Sequence, residues 1–476
     1  MINSKFSANS PKAAIYAALI AVVALSGCSA QLVAQNNERD QLLVTGDYAA
    51  LATNLEAKMG LKPSEKEADK GSEAVVTFNP QFVLEHLEAA EAWRLSGRVD
   101  RALAHFDAAE SSLAGVDNQG AVEGAGRQAG AVLVNDTMLT YRPSPAEAVL
   151  INYYKAISFM SMRDRESARV ELNRADDRIR RAVEHYEKEI GAAQEQAQES
   201  GAANAVASNA DVASAIRGKF PEMSQWEQYP NFVVPSATYL QGLFLAQSRD
   251  RADVQKARDL LGRVVGITES PVAARDLEEL GKGRLCPGNN CVWIIAECGQ
   301  GPQLVERRFD LPLPTKEGLI TLSMALPTLE SRLQSAQGAC QVSGAGQALE
   351  LSELSNMDRV IQTEFSKRFP AIVTRSVVSA VVKGVAQHEL NKKAGPIAGL
   401  IGNIAAAAST AADTRMWRSL PGRIMVARLD RPADGTVLVA FNGGVEKVSL
   451  PADSLSIVHI KQLTPSNKPS VSVLEF

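Results

Sequence analysis

The sequence predicts an α+β fold: an all-α, helical-repeat first half, then an α+β domain with a helical hairpin inserted between β-strands. Three observations predict it. From Asn36 to about Ile267 apolar residues recur at helical spacing. After Leu280 the pattern changes to short apolar or alternating runs bounded by proline and glycine, as strands require. From Leu351 to about Asp413 the helical period returns, and strands then resume to the last residue. With 476 residues, 45% of them hydrophobic and 22% charged, the chain has a globular composition and enough length for two or three domains.

The chain opens on a basic segment with Lys5 and Lys12, followed by an uncharged run from Ala13 to Leu25 and then Ser26-Gly27-Cys28. The run is about 13 residues, short of the roughly 20 needed to span a bilayer as a helix and suited to a signal peptide. Small residues leading into a cysteine resemble the bacterial lipoprotein signal. That resemblance implies removal of residues 1–27, acylation of Cys28 with fatty chains such as palmitate and, because Ser29 rather than Asp follows, an outer-membrane anchor facing the periplasm. Cleavage there removes both lysines, leaving 48 basic side chains against 54 acidic ones, a net charge of −6. An acidic chain without a long basic block is not built for nucleic acid. Gly395 to Ala412, the best remaining candidate for a span, is mostly Ala and Gly and carries Asn403, Ser409 and Thr410, so membrane contact rests on the lipid.

Within the helical region, 28–280, the clearest unit runs from Phe82 through Ala90, Trp93, Gly97, Ala102, Phe106 and Ala109. A second has Ala156, Phe159, Ala168, Leu172 and Ala175 at the same offsets, with Arg163 at the turn glycine's place. A third reads Gly242, Leu245, Ala257 and Leu261 with a longer turn, and Gly46-Asp47-Tyr48 marks another turn upstream. Small residues allow two helices to approach and large ones fill the groove between them, so the spacing resembles the tetratricopeptide repeat (TPR), here irregular and interrupted. The interruptions near 115–130 and 190–215 are rich in Gly, Ala, Gln and Ser and read as flexible inserts. The charges from Arg169 to Arg181 read as a solvated helix face.

The α+β domain spans 284–476. Strands are predicted over 291–327, at Cys291 to Ala296, Leu304 to Leu311 and Leu319 to Leu326, with Pro312 and Pro314 breaking the chain between the last two. Helices follow over 351–413, with Pro370 expected to kink or restart the first and Gly395-Pro396 separating a second from Ile397 to Ala412. Strands then fill 423–476, joined by the turn sequences Pro432-Ala433-Asp434-Gly435 and Asn442-Gly443-Gly444. Cys286, Cys291, Cys298 and Cys340, an even number in an exported chain, are candidates for disulfides at the sheet's edge, with three connectivities open. The spacing lacks the paired Cys-x-x-Cys of a zinc site and no histidine lies nearby, so no metal is expected.

Several segments together resemble an uncharacterised family of proteobacterial outer-membrane lipoproteins. They are Ala102 to Glu110, Tyr153 to Ala175, Glu364 to Arg375, Ala412 to Pro421 and Val426 to Leu429. The resemblance implies a lipid anchor and TPR-like helices and brings no activity. No Gly-x-Ser-x-Gly elbow, P-loop, dinucleotide fingerprint or calcium loop occurs, and His388-Glu389 lacks the second histidine of a zincin. The reading is a non-enzymatic protein without cofactor or small-molecule substrate, an envelope scaffold binding protein partners in cell-wall or outer-membrane assembly. Alternatives are an accessory subunit of a secretion or surface-fibre apparatus and an envelope hydrolase with an unrecognised site. Arg415, Trp417 and Arg418 are the candidate interaction residues, since Trp and Arg most often carry binding energy. The competing assignment is structural: Arg415 pairs with Asp413, and Trp417 wedges under the sheet.

Overall fold

The computed structural model describes residues 34, 37–61, 76–118, 140–199, 218–221, 227–394 except 287, 289, 316, 317 and 345, and 411–476 except 453. It is an α+β structure in which helices occupy the first half of the chain and strands dominate the second. The signal segment and Cys28 lie outside the described residues, as do most of both inserts, the expected break at Gly395-Pro396 and residues 397–410 of the expected second helix of the hairpin.

Helix α1 (Tyr48–Lys58) starts at Asp47, whose carboxylate accepts the Ala50 N–H as an N-cap. Helices α2 (Val83–Leu95) and α3 (Val99–Asn118) pack against each other across a turn at Gly97, which sits at φ +86°. The pair closes through Ala90, Ala102, Phe106 and Ala109, all fully buried. Helices α4 (Pro145–Ser161) and α5 (Arg165–Glu199) repeat the arrangement, with Ala156, Ala168, Leu172 and Ala175 buried at matching offsets. Arg163 takes φ +64° where Gly97 stood, and the same hydrogen bonds close both turns: Arg98 N to Trp93 O and Asp164 N to Phe159 O, each 2.9 Å. The left-handed backbone is thus dictated by the helix pair, at a cost of roughly 1–2 kcal/mol for a residue with a Cβ. Helices α6 (Pro235–Ala246) and α7 (Arg251–Thr268) approach most closely at Gly242, where an added Cβ would lie 2.9 Å from Leu261. Helix α8 (Pro271–Gly281), capped by Ser270, completes the series.

Strand β1 (Cys291–Gln300) is central to a five-stranded sheet. It pairs in parallel with β10 (Ser456–Gln462) and antiparallel with β7 (Pro421–Asp430); β11 (Ser470–Glu475) and β6 (Ser352–Asn356) form the edges. All ten residues of β1 are buried because both faces are covered. Trp293 and Ile295 face the helices together with Ile457 and Leu474. Val292, Ile294 and Ala296 point the other way, with Val458 and Ile460, onto the sheet of β4 (Gln341–Gly344), β5 (Gln347–Ala348), β8 (Thr436–Phe441) and β9 (Gly444–Ser449). The layers are therefore helices, middle sheet and outer sheet, and one apolar core runs from Leu43 in the helical half to Leu474.

Four expectations are corrected. Strand β2 (Gln303–Thr315) runs straight through Pro312 and Pro314, paired residue for residue with β3 (Gly318–Glu330). A two-stranded ribbon has free edges, where a missing N–H costs no ladder bond. Residues 352–356 form edge strand β6 rather than the start of a helix. Helix α9 (Met357–Ala394) continues through Pro370 as one element, so the chain does not restart there, and buried Phe365, Phe369 and Val377 tie both halves to the same core. The last two residues of the expected second helix, 411 and 412, are not helical.

The cysteines form two disulfides, Cys286–Cys291 and Cys298–Cys340. The first closes the loop from α8 into β1. The second fastens the central strand, not an edge, to the residue preceding β4, and so joins the middle and outer sheets. The bridges span 5 and 42 residues, and chain-entropy arguments give about 2 kcal/mol for the shorter loop and about 4 for the longer. Replacing Cys298 and Cys340 together by Ala is therefore expected to lower the urea midpoint more than replacing Cys286 and Cys291; the reverse order would show that the outer sheet is held by packing alone.

Candidate functional site

The richest concentration of chemistry lies where α2 and α4 meet the helix-facing side of β1 and β10. Glu91 and Arg94, three apart on α2, form an ion pair at 2.7 Å. Lys461 on β10 donates to Glu91 at 2.6 Å and lies 3.2 Å from Glu297 on β1. Register places Glu297 directly beside Lys461 in the parallel ladder. The Tyr154 hydroxyl from α4 donates to Glu297 at 2.9 Å and accepts from Lys461 at 3.1 Å, while Arg94 stacks 4.8 Å from the Tyr154 ring. His459 reaches the other Glu297 oxygen at 3.1 Å. Glu91, Glu297 and Lys461 are 0% exposed and Arg94 5%. Two anions thus face two cations away from water.

Burial acts to raise the Glu297 carboxyl, but Lys461, His459 and Arg94 outweigh it and hold it well below the usual carboxylate range. Burial likewise drives His459 below the ordinary histidine value. A neutral ring must then donate its Nε2 hydrogen to Glu297. Every acid and base in the cluster is committed to a partner within it, so the arrangement clamps the helix layer to the sheet.

A second set of carboxylates holds the segment 411–420, which links α9 to β7. Glu147 on α4 accepts the Trp417 N–H at 2.7 Å and Glu88 on α2 accepts the Arg418 N–H at 2.6 Å. Glu306 accepts the Ala412 N–H at 2.7 Å. A non-helical segment buried in the interior has no ladder to satisfy its amides, and side-chain carboxylates supply the acceptors instead. No known protein family, characterised protein or solved structure matches the chain.

The candidate interaction residues sit inside this assembly. Trp417 is fully buried, edge-on to Tyr154 and Phe106, with its indole N–H 2.6 Å from Ser419 Oγ. Arg418 is 5% exposed; its guanidinium pairs with Asp40 and donates to Gln303 at 2.8 Å. Arg415 forms the expected pair with Asp413 at 2.7 Å and lies 5.7 Å from the Tyr141 ring. Trp417 and Arg418 are therefore buried within the chain, where they anchor the interior. Cys286, Cys291, Cys298 and Cys340 are likewise engaged, each in its disulfide. Among the described residues no group of His, Cys, Asp and Glu is placed to hold a metal.

The sequence pattern missed Glu91, Arg94, Tyr154, Glu297 and Lys461. Its available signal was a charge at the end of each of two apolar strand runs, Glu297 after Ala296 and Lys461 after Ile460. His86 and His105, apart in sequence, also meet, Nδ1 to Nδ1 at 3.0 Å, and burial followed by the neighbouring ring lowers His86 to about 4.

Burial pushes Glu147 up from 4.5 to about 7. A carboxyl raised on folding stabilises the fold fully below its unfolded value, and that contribution fades as pH rises through the folded one. Glu147 thus favours the folded state at pH 4.5 relative to pH 7; His86, lowered on folding, acts in the opposite sense over part of this interval. Glu147→Gln removes only the first effect, so its melting temperature should fall less, or rise more, between these pH values than that of the parent. Parallel profiles would show that Glu147 does not titrate there.

Proposed function

We propose that this chain is a non-catalytic, lipid-anchored scaffold of the outer envelope, which holds protein partners on a TPR-like array of helix pairs. The observation that carries the reading is the repetition of one helix–turn–helix geometry: α2–α3 and α4–α5 share buried small residues at equal offsets and an identically bonded left-handed turn, at Gly97 and Arg163. Arrays of such pairs bind peptides and helices by shape. The internal pairing of the buried acids and bases supports a binding role over a catalytic one. On this reading Cys28 carries the acyl chains, the protein faces the periplasm, and the chain belongs with the proteobacterial lipoproteins it resembles.

The side chains of Val170 and Val183 on α5 are about half exposed, at 47% and 53%. A photoreactive residue at either position should trap a discrete envelope protein in living cells, and the same adduct should be lost from a Cys28→Ala variant. A cell-wall synthase in the adduct supports the assembly role, whereas a secretion component moves the protein to an export apparatus. Absence of any adduct while Cys28 remains acylated removes the scaffold reading.

A further inference from the structure

A cleft of about 1190 Å³ opens where the turn between α6 and α7 meets the residues after α8 and the chain from Ser454 to Phe476. Among the described residues five arginines line it, Arg165, Arg249, Arg251, Arg258 and Arg284, and no carboxylate side chain does. In a chain whose acidic residues outnumber its basic ones this is a local reversal of charge. Two neighbouring acids are already committed: Asp253 holds Arg169 and the Ser248 hydroxyl, and Glu475 holds Arg163 and the Ser454 hydroxyl.

Two donors in the cleft lack acceptors. Among the described residues the buried Nε of Arg258 and the buried Nε2 of Gln247 have no hydrogen-bond partner, although Arg258 donates through Nη2 to the Leu280 carbonyl at 2.9 Å. Leaving such donors dry is costly, and acceptors brought in by a ligand relieve that cost. Arg165 lies 5.4 Å from the Phe244 ring, which restrains its guanidinium at the rim. Val254, Leu455 and Phe476 give the cleft apolar wall beside this charge. Guanidinium groups match phosphate oxygens two at a time, and several in one place suit a ligand with more than one negative charge.

We propose that this cleft binds a phosphate-bearing ligand, its phosphate held by the arginines and Gln247 and its less polar part lying along Val254, Leu455 and Phe476. The inference does not rest on the scaffold reading. The phosphate can belong to a free molecule or to a lipid headgroup, and one experiment separates them. The full chain with Cys28→Ala, so that no acyl chain enters a bilayer, is titrated calorimetrically with inorganic pyrophosphate and sedimented with vesicles of phosphatidylglycerol or of phosphatidylcholine. Arg249→Glu/Arg251→Glu is measured alongside, both positions being exposed. Pyrophosphate binding weakened at least tenfold in the variant supports the site with a free phosphate as its source. Sedimentation with phosphatidylglycerol alone, abolished in the variant, supports it with a lipid headgroup. Binding of equal strength in parent and variant, or no binding in either assay, overturns the proposal. If the double variant melts early, Arg165→Gln is read in its place, with the same outcomes.

Discussion

Replacing Lys461 by Met is expected to destabilise the protein by about 3–5 kcal/mol, the usual cost of removing one partner from a fully buried charge pair. The methylene stem is retained, so little volume is lost. What changes is the charge balance: Glu91 and Glu297 remain, with only Arg94 to answer two carboxylates, and Glu91, Glu297 and Lys461 have no exposure through which water could screen them. Because Lys461 leads the groups that keep Glu297 ionised against its burial, the variant should also take up a proton at this site at higher pH than the parent. Lys461→Met/Glu297→Gln restores neutrality, leaving Glu91 paired with Arg94, and should recover a substantial part of the loss. Urea midpoints of parent, single and double variants decide it. A double variant no more stable than Lys461→Met would mean that the loss comes from packing and hydrogen-bond geometry rather than from charge.

The two strands that carry this cluster were legible in the sequence, and the cluster was not. Cys291 to Ala296 and Ser456 to Ile460 announce themselves as apolar runs, and the structure pairs them side by side at the centre of a sheet. A periodicity argument stops at the first charge, however, so Glu297 and Lys461 read as strand ends. Their pairing depends on the parallel register, which no local pattern specifies. Glu91 and Arg94 look like an ordinary surface pair three apart on a helix; only tertiary packing makes them interior. The same limit explains Pro312 and Pro314, which interrupt a central strand but not a ribbon with free edges. It also explains Ser352 to Asn356, whose polar composition hides an edge strand. By contrast, the turn at Arg163 was placed correctly because spacing between helices is a local property.

Trp417 tests the interior role of the segment before β7, and Trp417→Ala should cost about 3–5 kcal/mol, as truncation of a buried aromatic does. The ring is edge-on to Tyr154 at 5.6 Å and to Phe106 at 6.0 Å, so its loss opens a hole between α3, α4 and the segment itself. It also leaves Ser419 Oγ without the indole donor. Trp417→Phe keeps most of the volume and gives up the indole N–H, so it should lose markedly less, of the order of 1–2 kcal/mol for the unmet hydrogen bond. This graded pair distinguishes a packing anchor from a docking residue. If Trp417→Ala left the melting temperature unchanged while abolishing photocrosslinking at Val170 or Val183, the residue would be acting on the partner and the interior assignment would fall. If stability drops in the order Ala below Phe below parent, and crosslinking follows the folded fraction, Trp417 serves binding only by holding α3 and α4 in place over the sheet.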